Sequence, residues 1–224
     1  MPDNLHLVEG PYKNFTVRRV RPEDVEKVEQ HIEDYFLHDE PTSKLSGYTE
    51  EYGNEFCHIF RHFLPDNLSF WMEDNETGEV AAVRATFIHK KDDNCWDFFP
   101  RKSLASKNLY QMCEIALEKG NIYERYGITE YADFLVASCA TKYRNQGLAK
   151  ELYRRSMELF KVEGIKLAKS VFTSPFSRAA VKRLGFEEIC RVDYKTMKDK
   201  DGNPVFDPSQ LTDEHFGAVM VKLV

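Results

Sequence analysis

A mixed α/β fold in a single domain is what the sequence predicts, and three observations carry it. The chain has 224 residues, 42% of them hydrophobic and 13% aromatic, enough to fill one core. Strand-like apolar runs alternate along the chain with segments whose apolar residues recur at helical spacing. No linker, internal repeat or low-complexity tract divides it, so residues 1–224 read as one domain.

The elements follow in order. Phe15 to Val20 alternates as a strand and is stopped by Arg21-Pro22. Pro22-Glu23-Asp24 opens a helix, with proline in the first turn and acids at the positive helix end. Val25, Val28, Ile32 and Tyr35-Phe36 give it a buried face, and Asp39-Glu40-Pro41 ends it, because a residue before proline disfavours helix. A second helix is predicted over Glu50 to Phe63. Leu68 to Met72 and Val80 to His89 are strands joined by a hairpin at Asp74 to Gly78. After a polar and aromatic passage holding a helix from Ser106 to Lys119, Asp133 to Ala140 is a nearly continuous apolar strand, as in a buried sheet position. A helix follows from Gln146 to Val162, with Leu148, Leu152 and Leu159-Phe160 on one face and Gly164 closing it. Ile165 to Phe172 is a strand, Ser177 to Leu184 a short helix, and Gly185-Phe186 leads into a strand through Tyr194. A polar loop from Lys195 to Glu214 precedes the last strand, Ala218 to Leu223.

Charge and cysteine usage narrow the classes. With 31 basic and 37 acidic residues the net charge is −6, a poor basis for gripping nucleic acid or an anionic membrane. Met1-Pro2-Asp3-Asn4 has no basic start and no apolar run after it, and no stretch approaches the roughly 20 apolar residues that cross a bilayer. The five cysteines, Cys57, Cys95, Cys113, Cys139 and Cys190, are scattered and form no CxxC. Reduced thiols in a cytoplasmic monomer are expected, with no metal.

The most informative segment runs from Asp133 to Lys150: a buried strand, a tight turn and an amphipathic helix. Such a turn leaves backbone N–H groups unpaired at a positive helix end, which suits a pyrophosphate. Gly147 lets the backbone come close, and Ala149 keeps the entrance open. Neither GxGxxG nor GxxxxGK[ST] is present. What stands here is Arg144-Asn145-Gln146-Gly147-Leu148-Ala149, and it resembles the acetyl-CoA signature, Q/R-x-x-G-x-G/A, of the GCN5-related N-acetyltransferase (GNAT) superfamily. Val181-Lys-Arg-Leu-Gly185-Phe186 resembles that superfamily's last helix and turn. The resemblance implies a central mixed, mostly antiparallel sheet of about seven strands flanked by helices and splayed at its central strands. It implies acetyl-CoA as co-substrate, held by Arg144, Asn145, Gln146, Gly147, Leu148 and Ala149, with Val136, Ala137 and Ser138 along the pantetheine arm and Ser174 beside it.

An acceptor amine has a pKa near ~10.4, so about one molecule in a few thousand is the free nucleophile at neutral pH. A base must take its proton. The leaving thiolate, with a pKa near ~8.5, needs little acid help. Asp39-Glu40-Pro41 is, by residue type alone, either a solvated helix-end acid pair or such a base. It resembles the Asp-Glu-Pro of the insect arylalkylamine N-acetyltransferase group (the dopamine N-acetyltransferase-like enzymes), which implies Glu40 as general base and Asp39 as a cap or charge partner. That group also has hydroxyl residues where Thr173 and Ser177 stand, and they imply a part in proton transfer or acceptor placement; a serine cap of the following helix accounts for them equally. Many superfamily members carry a tyrosine acid at the position of Val181, so that acid is missing here.

Other signals carry less. His58 and His62 share a helix face, but Ile59 stands where HExxH needs glutamate. Cys139 reads as a small hydrophobe and Lys195 to Lys200 as a solvated loop overhanging the acceptor side. Aromatic residues near Tyr35-Phe36 and in Trp96 to Phe99 are available to stack an aryl group. The expected activity is acetyl transfer from acetyl-CoA to a small primary amine, an arylalkylamine such as dopamine, tyramine, tryptamine or serotonin. A polyamine or agmatine is the alternative acceptor. A non-catalytic acyl-CoA-binding module and a protein lysine acetyltransferase are the readings from other classes.

Overall fold

In the computed structural model, which describes residues 8–93 and 98–224, eight strands make one sheet. They are β1 (Gly10–Tyr12), β2 (Phe15–Arg19), β3 (Phe70–Asp74), β4 (Val80–Lys90), β5 (Glu130–Cys139), β6 (Leu167–Phe172), β7 (Glu187–Asp193) and β8 (Phe216–Leu223). Their order is β1-β2-β3-β4-β5-β6-β8-β7, antiparallel throughout except for the parallel pair β5–β6. The strand beyond the expected seven is β1, whose Gly-Pro-Tyr is too short to show a periodic pattern.

Helices cover both faces. On one face α1 (Val25–His31) and α3 (Glu50–Phe63) bury Val28, Phe56 and Phe60 against Trp71, Val83 and Val136. On the other, α6 (Leu148–Glu163) packs Leu148, Leu152, Leu159 and Phe160 over Phe70, Ala82 and Phe134, the stripe the sequence marks. Between them in sequence come α2 (Pro41–Ser46), α4 (Leu104–Gly120) and α5 (Ile122–Tyr126), while α7 (Pro175–Lys182) follows β6. The helix expected from Pro22 is divided: a 3₁₀ turn at Pro22–Asp24, then α1, then a π-helical stretch, Ile32–Leu37, that delivers the chain to Asp39 and Glu40. α7 begins at Pro175, two residues before the expected Ser177, because proline suits the first helical position. Among the described residues no helix is long and apolar enough to cross a membrane.

The sheet forks at its centre. β5 and β6 pair only at Ala132↔Ala168 and Asp133↔Lys169, after which they diverge. Two features act at that point. The β4–β5 register shifts so that Ala85 faces Val136 and Thr86 faces Phe134, leaving Leu135 as a bulged residue that bends β5. Across the gap the Ser170 hydroxyl donates to the Phe134 carbonyl at 2.7 Å, closing the base of the fork.

Candidate active site

Glu40 is set by the proline after it. Its backbone is extended (φ −68, ψ 127), as a residue before proline requires, and it caps α2. Oε2 accepts from the Ser43 amide at 2.7 Å and the Ser43 hydroxyl at 2.9 Å. Oε1 accepts from the Thr173 hydroxyl at 2.7 Å, a contact between residues 133 apart in sequence. Of the two roles expected for Asp39, cap or charge partner, the structure shows the charge partner, and Glu40 itself is the cap. Asp39 Oδ2 lies 2.5 Å from Arg144 Nη2, and that guanidinium holds the Asp39 carboxyl below its ordinary value. The two adjacent acids therefore span the mouth of the fork, Asp39 tied to the end of β5 and Glu40 to the end of β6.

Buried groups brace this segment. Tyr52 donates to or accepts from the Ser43 hydroxyl at 3.1 Å, and Tyr194 meets the Thr42 hydroxyl at 2.9 Å. Burial, reinforced by the Glu40 charge, pushes both phenols up, so they stay protonated. Arg178, itself buried, donates to the Thr173 carbonyl at 2.7 Å and fixes the residue that holds Glu40. Ser43, Tyr52, Tyr194 and Arg178 escape a reading by sequence spacing, because only the tertiary fold gathers them. The one local signal is Ser43, at the third helical position after an acidic cap.

The anion turn has the form the sequence predicts. Thr141–Tyr143 is a 3₁₀ turn, Asn145 and Gly147 are left-handed (φ 63 and 83), and α6 starts at Leu148. The first N–H groups of α6 have no partner within the helix and face the end of the turn. A Cβ on Gly147 would meet Tyr12 Oη at 3.2 Å. The β1–β2 hairpin thus touches the turn, and Lys13 Nζ donates to the Gln146 carbonyl at 2.5 Å. Arg144 Nε reaches the Cys139 carbonyl at 3.3 Å, and Lys142 pairs with Glu79.

Along β5 beyond the fork, Ala137 is exposed while Val136 and Ser138 are buried. Ser138 donates to His31 Nε2 at 3.2 Å, since His31 Nδ1 faces the Val80 carbonyl at 3.1 Å and carries the ring proton. Burial pushes His31 down to about 4, so this bridge from α1 to β4 and β5 is neutral at pH 7. Burial likewise pushes the Cys139 thiol up to about 11, which makes it the small neutral residue expected.

Thr173 and Glu40 are brought together; Ser177 is not joined to them. Its hydroxyl donates to the Ser174 carbonyl at 2.9 Å within the first turn of α7, and Ser174 holds the cap position without a side-chain cap bond. His62 stacks on Phe98 at 3.5 Å, and no group of three or more metal-ligating residues occurs among the described residues. Phe99 is buried against Ile59 and Phe63, so the aromatic insert serves the core between α3 and α4; Trp96 lies outside the described residues. The loop after β7 buries Met197 and Phe206 on α4.

No protein-family model matches the chain. Solved structures do. Arylalkylamine N-acetyltransferase 2 from Aedes aegypti superposes with a TM-score of 0.81 at 22% identity, over 94% of this chain and 99% of that one. The putative arylalkylamine N-acetyltransferase 7 from the same mosquito gives 0.82 at 24%, over 93% and 87%. The fold is that of the GNAT acetyltransferases. Polyamine N-acetyltransferase from Drosophila melanogaster shares it, with a TM-score of 0.77 at 15% identity over 94% and 100%. In this fold the edge of β5 beyond the fork and the start of α6 both present open backbone N–H groups. Together with Gly147, they fit a pantetheine arm ending in a pyrophosphate.

Proposed function

We propose that the chain is an acetyl-CoA-dependent N-acetyltransferase of small primary amines, with an arylalkylamine as acceptor. The observation that carries it is the placement of Asp39 and Glu40 across the fork, one on Arg144 of the anion turn and the other on Thr173. A base, a cleft for a thioester arm and an anion turn then converge within one chain, so a monomer suffices.

The coenzyme supplies an acetyl group activated as a thioester. Glu40 has three hydrogen bonds on about four acceptor positions, which leaves one on Oε1 for the amine proton, taken directly or through a water. Thr173 and Ser43 hold the carboxylate so that this position faces the cleft. Arg144 and the first amides of α6 take the phosphates. Tyr35, packed beside His31, and Phe36, packed on Phe56 and accepting the Glu40 amide at its carbonyl, are the rings on the segment leading to Glu40 that we assign to an aryl group.

A polyamine or agmatine acceptor is the second reading, favoured by the likeness to the Drosophila polyamine enzyme and by the acid pair at the mouth. Steady-state assays with acetyl-CoA against tryptamine, dopamine, agmatine, spermidine and a lysine peptide test both. Acetylation of the aryl amines at the highest kcat/KM is expected. Preference for agmatine selects the second reading, and preference for the peptide a protein acetyltransferase. Coenzyme binding with turnover of none of them selects a non-catalytic module.

A further inference from the structure

The central strands bury three charged groups. Asp133 of β5 and Lys169 of β6 pair at 2.7 Å at the base of the fork. The third is Arg84 of β4, 2% exposed, whose guanidinium lies 3.4 Å from the ring centre of Phe134 and 3.7 Å from that of Tyr153. Its hydrogen bond is a long one, 3.5 Å from Nη1 to the Val136 carbonyl, and Nε and Nη2 have no partner. The nearby acid, Asp133, is already taken by Lys169. Within this group of three, two cations face one anion, a local excess of one positive charge at the central strands. Burial pushes Arg84 down to about 10, so it is charged at neutral pH.

Two ring faces and one long hydrogen bond compensate a buried charge only in part, and an apolar side chain between the rings would avoid the cost. Its location suggests a use. Arg84 reaches the Val136 carbonyl, on the strand whose other edge opens into the fork. A chain laid along that edge sits one strand spacing, about 4.8 Å, beyond β5. At Val181, fully buried, there is no proton donor.

Resting on the acetyltransferase reading, we propose that Arg84 is the counter-charge for the coenzyme sulfur, favouring the thiolate from behind β5 in place of a general acid. In the transfer the amine nitrogen bonds the thioester carbon and the C–S bond breaks with its electron pair left on sulfur. The amine proton passes to Glu40. A unit charge about 8 Å away at an effective dielectric of about 20 lowers a thiol by one to two units. Arg84 is a positioning residue in this scheme, acting through the field it sets up. The titratable groups facing it are Tyr153 from α6, raised by burial, and Asp133 from β5, paired to Lys169 from β6. Cys139 beside Tyr153 is pushed up to about 11 and His31 down to about 4, both outside the window from pH 6 to 9; burial raises Asp133 against the pull of Lys169, and its titration is common to both ligands of the test below.

The test is calorimetric binding of coenzyme A and of desulfo-coenzyme A to the full chain from pH 6 to 9. The ratio of the two Kd values isolates the sulfur. Preference for coenzyme A grows with pH between the lowered value of the bound thiol and the free value of about 8.5, gaining about 10–100-fold in all. In Arg84→Met and Arg84→Gln this gain falls by about tenfold or more, and in Arg84→Lys it persists. A wild-type preference that is flat with pH overturns the proposal even if the neutral variants do not fold. So does a pH-dependent gain in Arg84→Met equal to that of wild type. Binding with an unshifted sulfur removes this inference alone; no coenzyme binding at all removes the acetyltransferase reading with it.

Discussion

On the proposed function, a helix cap and a base share one carboxylate at Glu40. The cap bond from the Ser43 amide orients the group and is worth about 1 kcal/mol, while the open position on Oε1 is the one left for the proposed proton transfer. Glutamine keeps an oxygen for the cap and loses the basicity, so the two roles separate in Glu40→Gln. Its kcat should fall about 10²–10⁴-fold at pH 7 with little change in Tm, and recover in part as pH rises toward the amine pKa. An undiminished rate at pH 7 would remove Glu40 as base. Gly147 is a second residue whose backbone decides the outcome. Gly147→Ala places a Cβ at φ 83 and 3.2 Å from Tyr12 Oη, which costs about 1–2 kcal/mol in the turn. KM for acetyl-CoA should rise several-fold or more with kcat nearly unchanged, and equal rises for the amine would contradict a coenzyme site there.

The fork between β5 and β6 depends on the last pair before divergence, Asp133 with Lys169. Removing one partner leaves a buried charge alone, so Asp133→Asn or Lys169→Met should each cost about 3–5 kcal/mol in chemical denaturation. The double variant Asp133→Leu/Lys169→Met should recover most of that; additive losses would show that the pair is not coupled. At this scale the sequence was most legible where pattern and period agree. Glu50–Phe63 is found at its predicted ends, and the apolar face of α6 is as read. α2 and the π-helical stretch escaped because Pro41 starts a helix as readily as it ends one, and because a π turn has no hydrophobic period of its own. Within the site, the strand–turn–helix at Arg144 to Ala149 was legible because its chemistry is local. The Thr173–Glu40 bond and the Arg178 brace were not, since each joins residues that meet only after β6 has entered the sheet.

Two buried histidines give the whole molecule a pH limit. His31 is lowered to about 4 by burial, and His89 to about 3 by burial and then by Lys169. Both groups bind protons more readily when unfolded, near 6.5, so their contribution to stability is complete above that pH and is lost as pH falls toward 4. His31 alone should withdraw about 3 kcal/mol between pH 6.5 and 4. Calorimetric Tm should drop across this range, less steeply in His31→Gln; a flat profile would contradict neutral burial. The hairpin of β1 and β2 acts over a comparable reach. Lys13 grips the Gln146 carbonyl across 133 residues of chain, so the turn before α6 is tied down by a segment near the start of the described residues. A protease nick or a truncation that removes residues 8–14 would spare Glu40 and the fork. On the proposed function it would leave the base in place and loosen the hold on the coenzyme's phosphates, while stripping the buried Arg155 of α6 of its bonds to the Glu9 and Pro11 carbonyls.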